Sequence, residues 1–169
     1  MSEIVYPYLP AGRKILYVPA TDKFMELAKA FARAQSLDDK MPGAAVVVKD
    51  DRVIGIGANG SRHHKDHGCE RVRLNCKSGE GYELCPGCHP INHSETCAIL
   101  SAINMHHGSR EPLRGAALYL WGHWWLCKDC WGAVQNAQIG EVYLMEKSEI
   151  LFNREAPGNI VGKQFETAE

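Results

Sequence analysis

The sequence predicts a single α/β domain, with a mixed, partly parallel sheet carrying helices on its faces. Three observations lead there. Segments of helical periodicity alternate with short β-branched runs in the order α-β-β-α-β-α-β, which implies a layered sheet. The 169 residues are enough to bury one core without disulfides or a partner. The apolar fraction of 45% and charged fraction of 23% fit an ordinary globular chain, and no internal repeat marks a second domain.

Residues 1–20 read as an irregular lead-in interrupted by Pro7, Pro10 and Pro19. Thr21 is placed to cap a helix to about Ser36, in which Phe24, Leu27, Ala28 and Phe31 recur at i, i+3, i+4 and i+7. After Gly43, residues 44–48 are continuously apolar and suit a central strand. Asp50-Asp51 supplies turn chemistry, and residues 52–57 return as the second strand of a hairpin. Residues 59–92 are rich in Gly, His, Cys and charge, with little periodicity. A loop of that length in a compact domain is functional or tied down.

Asn92 then makes a good N-cap for a helix to about His107, with a buried stripe of Cys97, Leu100 and Ile103 beside Ile99 and Ala102. Residues 116–121 are a strand, 127–137 a third helix, 141–145 a further strand, and 147–169 an irregular tail.

Charge and hydropathy narrow the partners. With a net charge of −1 and a pI near 6.7, the chain has no overall field with which to grip a polynucleotide. A small substrate is favoured, and one local basic patch is still compatible with a single phosphate. No apolar run approaches the roughly 20 residues of a membrane span. Residues 1–13 carry Glu3, two prolines and no continuous apolar core, so no signal peptide is expected and the cytoplasm is the expected location.

Seven cysteines, an odd number, include two pairs at C-x-x-C spacing: Cys85/Cys88 and Cys127/Cys130. Without an export signal this pattern favours metal over disulfides. His93-Ser94-Glu95 opens one predicted helix, and Cys127-Lys128-Asp129-Cys130 opens another after an intervening strand. Two thiolates and an imidazole suit zinc, and three protein ligands leave the fourth tetrahedral position for water, as catalytic sites do. Helix N-termini help keep the thiolates ionised. Glu95, two residues from His93, can reach that water without being a ligand and is the candidate proton shuttle.

This H-x-E…C-x-x-C pattern resembles the signature of the zinc nucleobase deaminases. Within that superfamily the chain is most similar to bacterial deoxycytidylate (dCMP) deaminases. Their G-Y-N-G turn corresponds to Gly57-Ala58-Asn59-Gly60, and their S-G-x-x-x-E-L-C segment to Ser78-Gly79-Glu80-Gly81-Tyr82-Glu83-Leu84-Cys85. The likeness covers roughly residues 21–146. It implies the cytidine-deaminase-like three-layer α/β/α sandwich, catalytic zinc on His93, Cys127 and Cys130, and Glu95 as the shuttle. It also implies Asn59 as a sugar contact, a homo-oligomer of two or more chains, and hydrolysis of dCMP to dUMP and ammonia. Leu126 stands where the family has proline, Ser94 where it has alanine, and Ala58 where it has tyrosine. Cys88-His89-Pro90-Ile91-Asn92 looks inserted, and Trp121-Gly122-His123-Trp124-Trp125-Leu126-Cys127 replaces T-x-x-P-C. These departures bear on the substrate and leave the ligands and Glu95 intact.

Each reading has a plainer rival. Asn92 with Glu95 could be no more than a capping box. The two C-x-x-C pairs could close one structural four-cysteine site, although such modules separate their pairs by roughly 15–20 residues, about half the gap here. Cys69, Cys85 and Cys88 are candidates for a second, structural zinc, with Cys76, His67 or His89 as a further ligand, and Cys97 reads as a small buried residue. Arg62, His63, His64, Lys65, Arg71 and Arg73 form a basic cluster that either meets a 5′-phosphate, Arg62 and His63 foremost, or is a solvated loop. One of His123, Trp124 or Trp125 is expected to line the pocket, with the other tryptophans in core or interface. The remaining alternatives are another aminated base, nucleoside or heterocycle as substrate, and a non-catalytic zinc-binding module.

Overall fold

The structure, a computed structural model, describes residues 7–77 and 79–166, so residues 1–6, Ser78 and the last three residues of the expected tail lie outside the described residues. The sheet has five strands: β1 (Leu16–Val18), β2 (Ala44–Lys49), β3 (Arg52–Ala58), β4 (Ala117–Trp121) and β5 (Glu141–Met145), in the order β1-β5-β4-β2-β3. β4, β5 and β1 run parallel, whereas β2 is antiparallel to both β3 and β4. Helix α1 (Lys23–Gln35) covers one face, and α4 (Ser94–Met105) with α5 (Lys128–Asn136) covers the other. The result is the three-layer α/β/α sandwich with a mixed sheet. Among the described residues no helix is long and apolar enough to cross a membrane.

Most elements fall within a residue or two of their expected bounds, and the differences have physical causes. Leu16–Val18, expected to be irregular, pair in parallel with Tyr143–Met145 as an edge strand too short to show periodicity. The strand at 44–49 is second from the edge and β4 is central. β2 is continuously apolar because both of its faces are covered. Helix α1 is capped one residue later than expected, by Asp22, whose carboxylate accepts from the N–H groups of Phe24 and Met25 at 2.9 and 3.1 Å. Its buried stripe is Phe24, Met25, Ala28 and Ala32, and Leu27 is exposed.

The stripe of α4 is likewise rotated from the expected one. Ala98, Ile99 and Ala102 are buried and Leu100 is exposed. The cause lies in β3. A Cβ on Gly55 would collide with the Ala98 carbonyl and Ala102, and one on Gly57 with the backbone of Cys97 and Ala98. The helix therefore lies directly on the strand backbone at its two glycines, with small residues inward. This close approach fixes where the first turn of α4 meets the sheet edge.

Residues 59–92 are held in short pieces: α2 (Arg62–His67), α3 (Glu70–Arg73) and single 3₁₀ turns at Tyr82–Leu84, Pro86–Cys88 and Pro90–Asn92. After β5 the tail makes one helical turn, α6 (Ser148–Leu151), and buries Phe152 against Trp121 with ring centroids 5.2 Å apart.

Candidate active site

Sheet register places the site. Ala44 pairs with Ala58 on one side and Trp121 on the other, so the start of β2 and the ends of β3 and β4 form one row. Asn59 and His123 continue directly beyond that row, and α4 and α5 begin at the same edge.

His93 is the N-cap residue of α4 and Cys127 that of α5, with Cys130 in the first turn of α5. The His93 Nδ1 lies 3.5 Å from the Cys127 Sγ and 3.3 Å from the Cys130 Sγ. In a tetrahedral zinc site the nitrogen-to-sulfur edge is about 3.6 Å, so the donors already stand at ligand spacing. The imidazole is also held in the right tautomer. Its Nε2 lies 3.2 Å from the Cys88 carbonyl, which can only accept, so Nε2 carries the proton and Nδ1 presents its lone pair to the sulfurs. The Tyr82 ring stands edge-on to it at 5.1 Å.

Electrostatics prepare the Cys127 thiol for a cation. The Cys127 thiol is pulled down to about 6, chiefly because the Cys130 thiol donates to it, with His93 adding to the effect against burial. The Cys130 thiol is pushed up for the complementary reason, since it faces that thiolate and is buried. The Cys130 N–H donates to the Cys127 Sγ at 3.4 Å, so the helix start also favours charge there.

Glu95 is 5% exposed and lines the same cavity, and the Ser94 hydroxyl donates to its Oε2 at 3.1 Å. The capping-box geometry is not formed, because the Asn92 N–H donates to His89 O at 2.8 Å. The Asn92 side chain instead braces the turn before the helix through Pro86 O and Gly87 O. Glu95 is thus a carboxylate buried in the same cavity as a zinc-type donor set and not used as a helix cap.

The cavity has a volume of about 790 Å³, within the range of small-molecule sites. His93, Glu95 and Cys127 form one side, and Asn59, His123, Trp124 and Trp125 line it further. Trp121 and Trp131 lie in the core instead, at 2% and 0% exposure. Asn59 is heavily engaged: its Oδ1 accepts from Ser36 Oγ at 2.6 Å and Gly43 N at 2.8 Å, and its Nδ2 donates to Met41 O at 2.8 Å. The same Nδ2 stands 3.5 Å from His123 Nε2, so Asn59 braces that ring.

Arg62 and His63 do not line the cavity. His63 turns to Glu70, with its Nε2 3.2 Å from both carboxylate oxygens. The arginines that do line it are Arg71 and Arg154. Arg71 is tied to Glu80 O at 2.6 Å and Lys77 O at 2.9 Å, whereas Arg154 projects from the tail into solvent. Nothing in the local pattern of the tail marks Phe152 and Arg154 as cavity residues or ties them to residues 93–130.

Burial pushes the His123 ring down to about 4, so the ring is neutral at pH 7. An unfolded histidine titrates near 6.5, so the unfolded chain takes up the proton first. The contribution of the neutral ring to stability is complete above about pH 6.5 and is lost as pH falls towards 4, at most about 3 kcal/mol. Urea unfolding at pH 7.5 and pH 5 should show wild type losing more stability than His123→Gln, and equal losses would contradict this account.

Comparison with known proteins matches residues 19–146 to the cytidine and deoxycytidylate deaminase zinc-binding region. A tRNA-specific adenosine deaminase of Agrobacterium fabrum (strain C58) is 31% identical over 104 residues, covering 55% of this chain and 68% of that protein. A crystal structure of dCMP deaminase from the cyanophage S-TIM5, in complex with dCMP and dUMP, is 23% identical with a TM-score of 0.47, over 73% of this chain and 80% of that one. A structure of RibD from Acinetobacter baumannii is 21% identical with a TM-score of 0.40, over 71% of this chain. The chain spans only 26% of that longer protein.

Proposed function

The chain belongs to the cytidine and deoxycytidylate deaminase zinc-binding family, and we propose that it hydrolyses the exocyclic amine of a pyrimidine nucleotide, dCMP foremost, to give the keto ring and ammonia. The observation that carries this reading is the tautomer of His93. Its Nε2–H is committed to the Cys88 carbonyl and its Nδ1 faces two thiols, beside a buried glutamate.

The donor set of one imidazole and two thiols fits zinc and leaves a coordination position open. Zinc, when bound, supplies the Lewis acidity that makes water nucleophilic at neutral pH. The chain's own residues do the rest. Glu95 takes the proton from the attacking water and delivers it to ring N3 as C4 becomes tetrahedral, then carries a proton to the amine as it leaves. Ser94 holds one of its carboxylate oxygens while it does so. Trp124 and Trp125 offer aromatic faces to the base, and neutral His123 offers a hydrogen bond that costs no buried charge.

We assign the 5′-phosphate to Arg154, the cavity arginine whose guanidinium is not tied to backbone carbonyls. Arg154→Ala should raise KM for dCMP about tenfold or more, with little change for deoxycytidine, which has no phosphate to lose. Assaying ammonia release from dCMP, deoxycytidine, guanine and adenosine-containing RNA tests the substrate class. Preference for the nucleotide supports the proposal. Turnover of adenosine in RNA, the reading favoured by the 31% identical relative, would replace it.

A further inference from the structure

A second set of soft donors stands apart from His93. His64, Cys69, Cys85 and Cys88 each offer one ligand atom, and these atoms all lie within 4.8 Å of one another. The His64 Nε2 is 3.3 Å from the Cys85 Sγ and 3.5 Å from the Cys88 Sγ, and the Cys69 and Cys88 sulfurs are 3.5 Å apart. A tetrahedral zinc requires edges of about 3.6 Å between nitrogen and sulfur and about 3.8 Å between sulfurs. A disulfide would need a separation of about 2.05 Å. All seven cysteines are free thiols.

We propose that these four residues form a second zinc site, and that it positions the catalytic histidine through the Cys88 carbonyl. Three further observations support the site. First, α2 and α3 bury no residue at all, while Cys85 and Cys88 are 0% and 9% exposed. The donors are therefore the interior of a segment with no apolar core, the situation in which a structural metal supplies folding energy. Second, the turn between Cys85 and Cys88 is shaped for the imidazole. A Cβ on Gly87 would collide with the His64 ring. Third, three thiolates around a divalent zinc leave one net negative charge, and a cation is in place to offset it. The Arg71 Nη1 is 3.6 Å from the Cys88 Sγ, and its guanidinium lies 4.5 Å over the Tyr82 ring.

A competing grouping of His63, Glu70 and Cys85 also comes within ligand distance. Its imidazole and carboxylate already pair with each other, and Arg73 donates to the same carboxylate at 2.9 Å. The softer four-donor set is the better match to zinc.

The link to catalysis, which rests on the proposed role of His93, runs through one residue. Cys88 gives its sulfur to the second site and its carbonyl to the His93 Nε2–H at 3.2 Å. Fixing the Cys88 backbone therefore fixes the orientation of the catalytic imidazole. Outer partners of this kind change metal affinity by about 10- to 100-fold.

The test counts zinc per chain in purified full-length protein, in Cys69→Ser/Cys85→Ser and in Cys127→Ser/Cys130→Ser. The expected result is two zincs in wild type and one in each variant. A single wild-type zinc that survives Cys69→Ser/Cys85→Ser overturns the second site. A single zinc lost only in that variant supports the second site and counts against the His93 centre instead. Chelator competition then reads the coupling. With the second site empty, zinc at the His93 centre should be held about 10- to 100-fold more weakly, and unchanged affinity overturns the positioning role. Should the double variant fail to fold, Gly87→Ala leaves every thiol in place and only crowds His64. It should weaken one zinc by about tenfold or more, and two zincs held as tightly as in wild type overturn the site.

Discussion

Glu95→Gln should lower turnover by about 10²–10⁴-fold while the protein keeps its full zinc content. The amide preserves the size of the side chain and can still accept from Ser94, so α4 has no reason to rearrange. What it loses is the ability to take a proton from water and hand it to the ring. The effect should fall on kcat, because the carboxylate works as the tetrahedral carbon forms and collapses. Steady-state kinetics beside metal analysis checks this. Retained turnover would leave Glu95 as a buried residue without a chemical role. The capping-box rival predicts only a stability change of about 1 kcal/mol, and the Asn92 N–H already has a different partner in His89 O.

Removing the metal should be as damaging. Cys127→Ser, or exhaustive chelation of wild type, should abolish measurable ammonia release and lower thermal stability. Cys127 has the lowered thiol pKa at the site, receives the Cys130 N–H and caps α5, so its substitution removes a ligand and disturbs a helix start together. A ligand present at about a thousand times its Kd stabilises the folded state by about 4 kcal/mol. Calorimetry of the holo and chelated proteins should therefore differ by many degrees. Full activity after chelation would contradict the metal assignment.

Much of this was legible in the chain itself, for identifiable reasons. Helices α1, α4 and α5 and strands β2 to β5 appear close to their expected bounds because each carries periodicity or a β-branched run longer than one turn. His93, Glu95, Cys127 and Cys130 could be singled out because His93 and Glu95, and Cys127 and Cys130, are each close in sequence, and the fold brings the three donor residues His93, Cys127 and Cys130 together.

What could not be read depends on contacts between distant residues. Which face of α4 is buried follows from Gly55 and Gly57 on β3, not from the helix's own pattern. β1 exists because β5 lies beside it. The sequence groups Cys69, Cys85 and Cys88 with Cys76, His67 or His89 as a further ligand, and sets His64 in a basic cluster that either meets a phosphate or is a solvated loop. The structure puts His64 among the sulfurs instead. Its place among those sulfurs depends on the gap left by Gly87. Arg154 lines the cavity from a tail that Phe152 packs against Trp121, a contact distant in sequence.

The central claim is that His93, Cys127, Cys130 and Glu95 together deaminate a nucleotide. The most direct measurement is ammonia release from dCMP by the zinc-loaded wild-type protein, with dUMP measured in the same reaction. Equal amounts of ammonia and dUMP are expected, with both falling about 10²–10⁴-fold in Glu95→Gln at matched zinc content. A zinc-loaded wild-type protein that releases no ammonia from dCMP would contradict it.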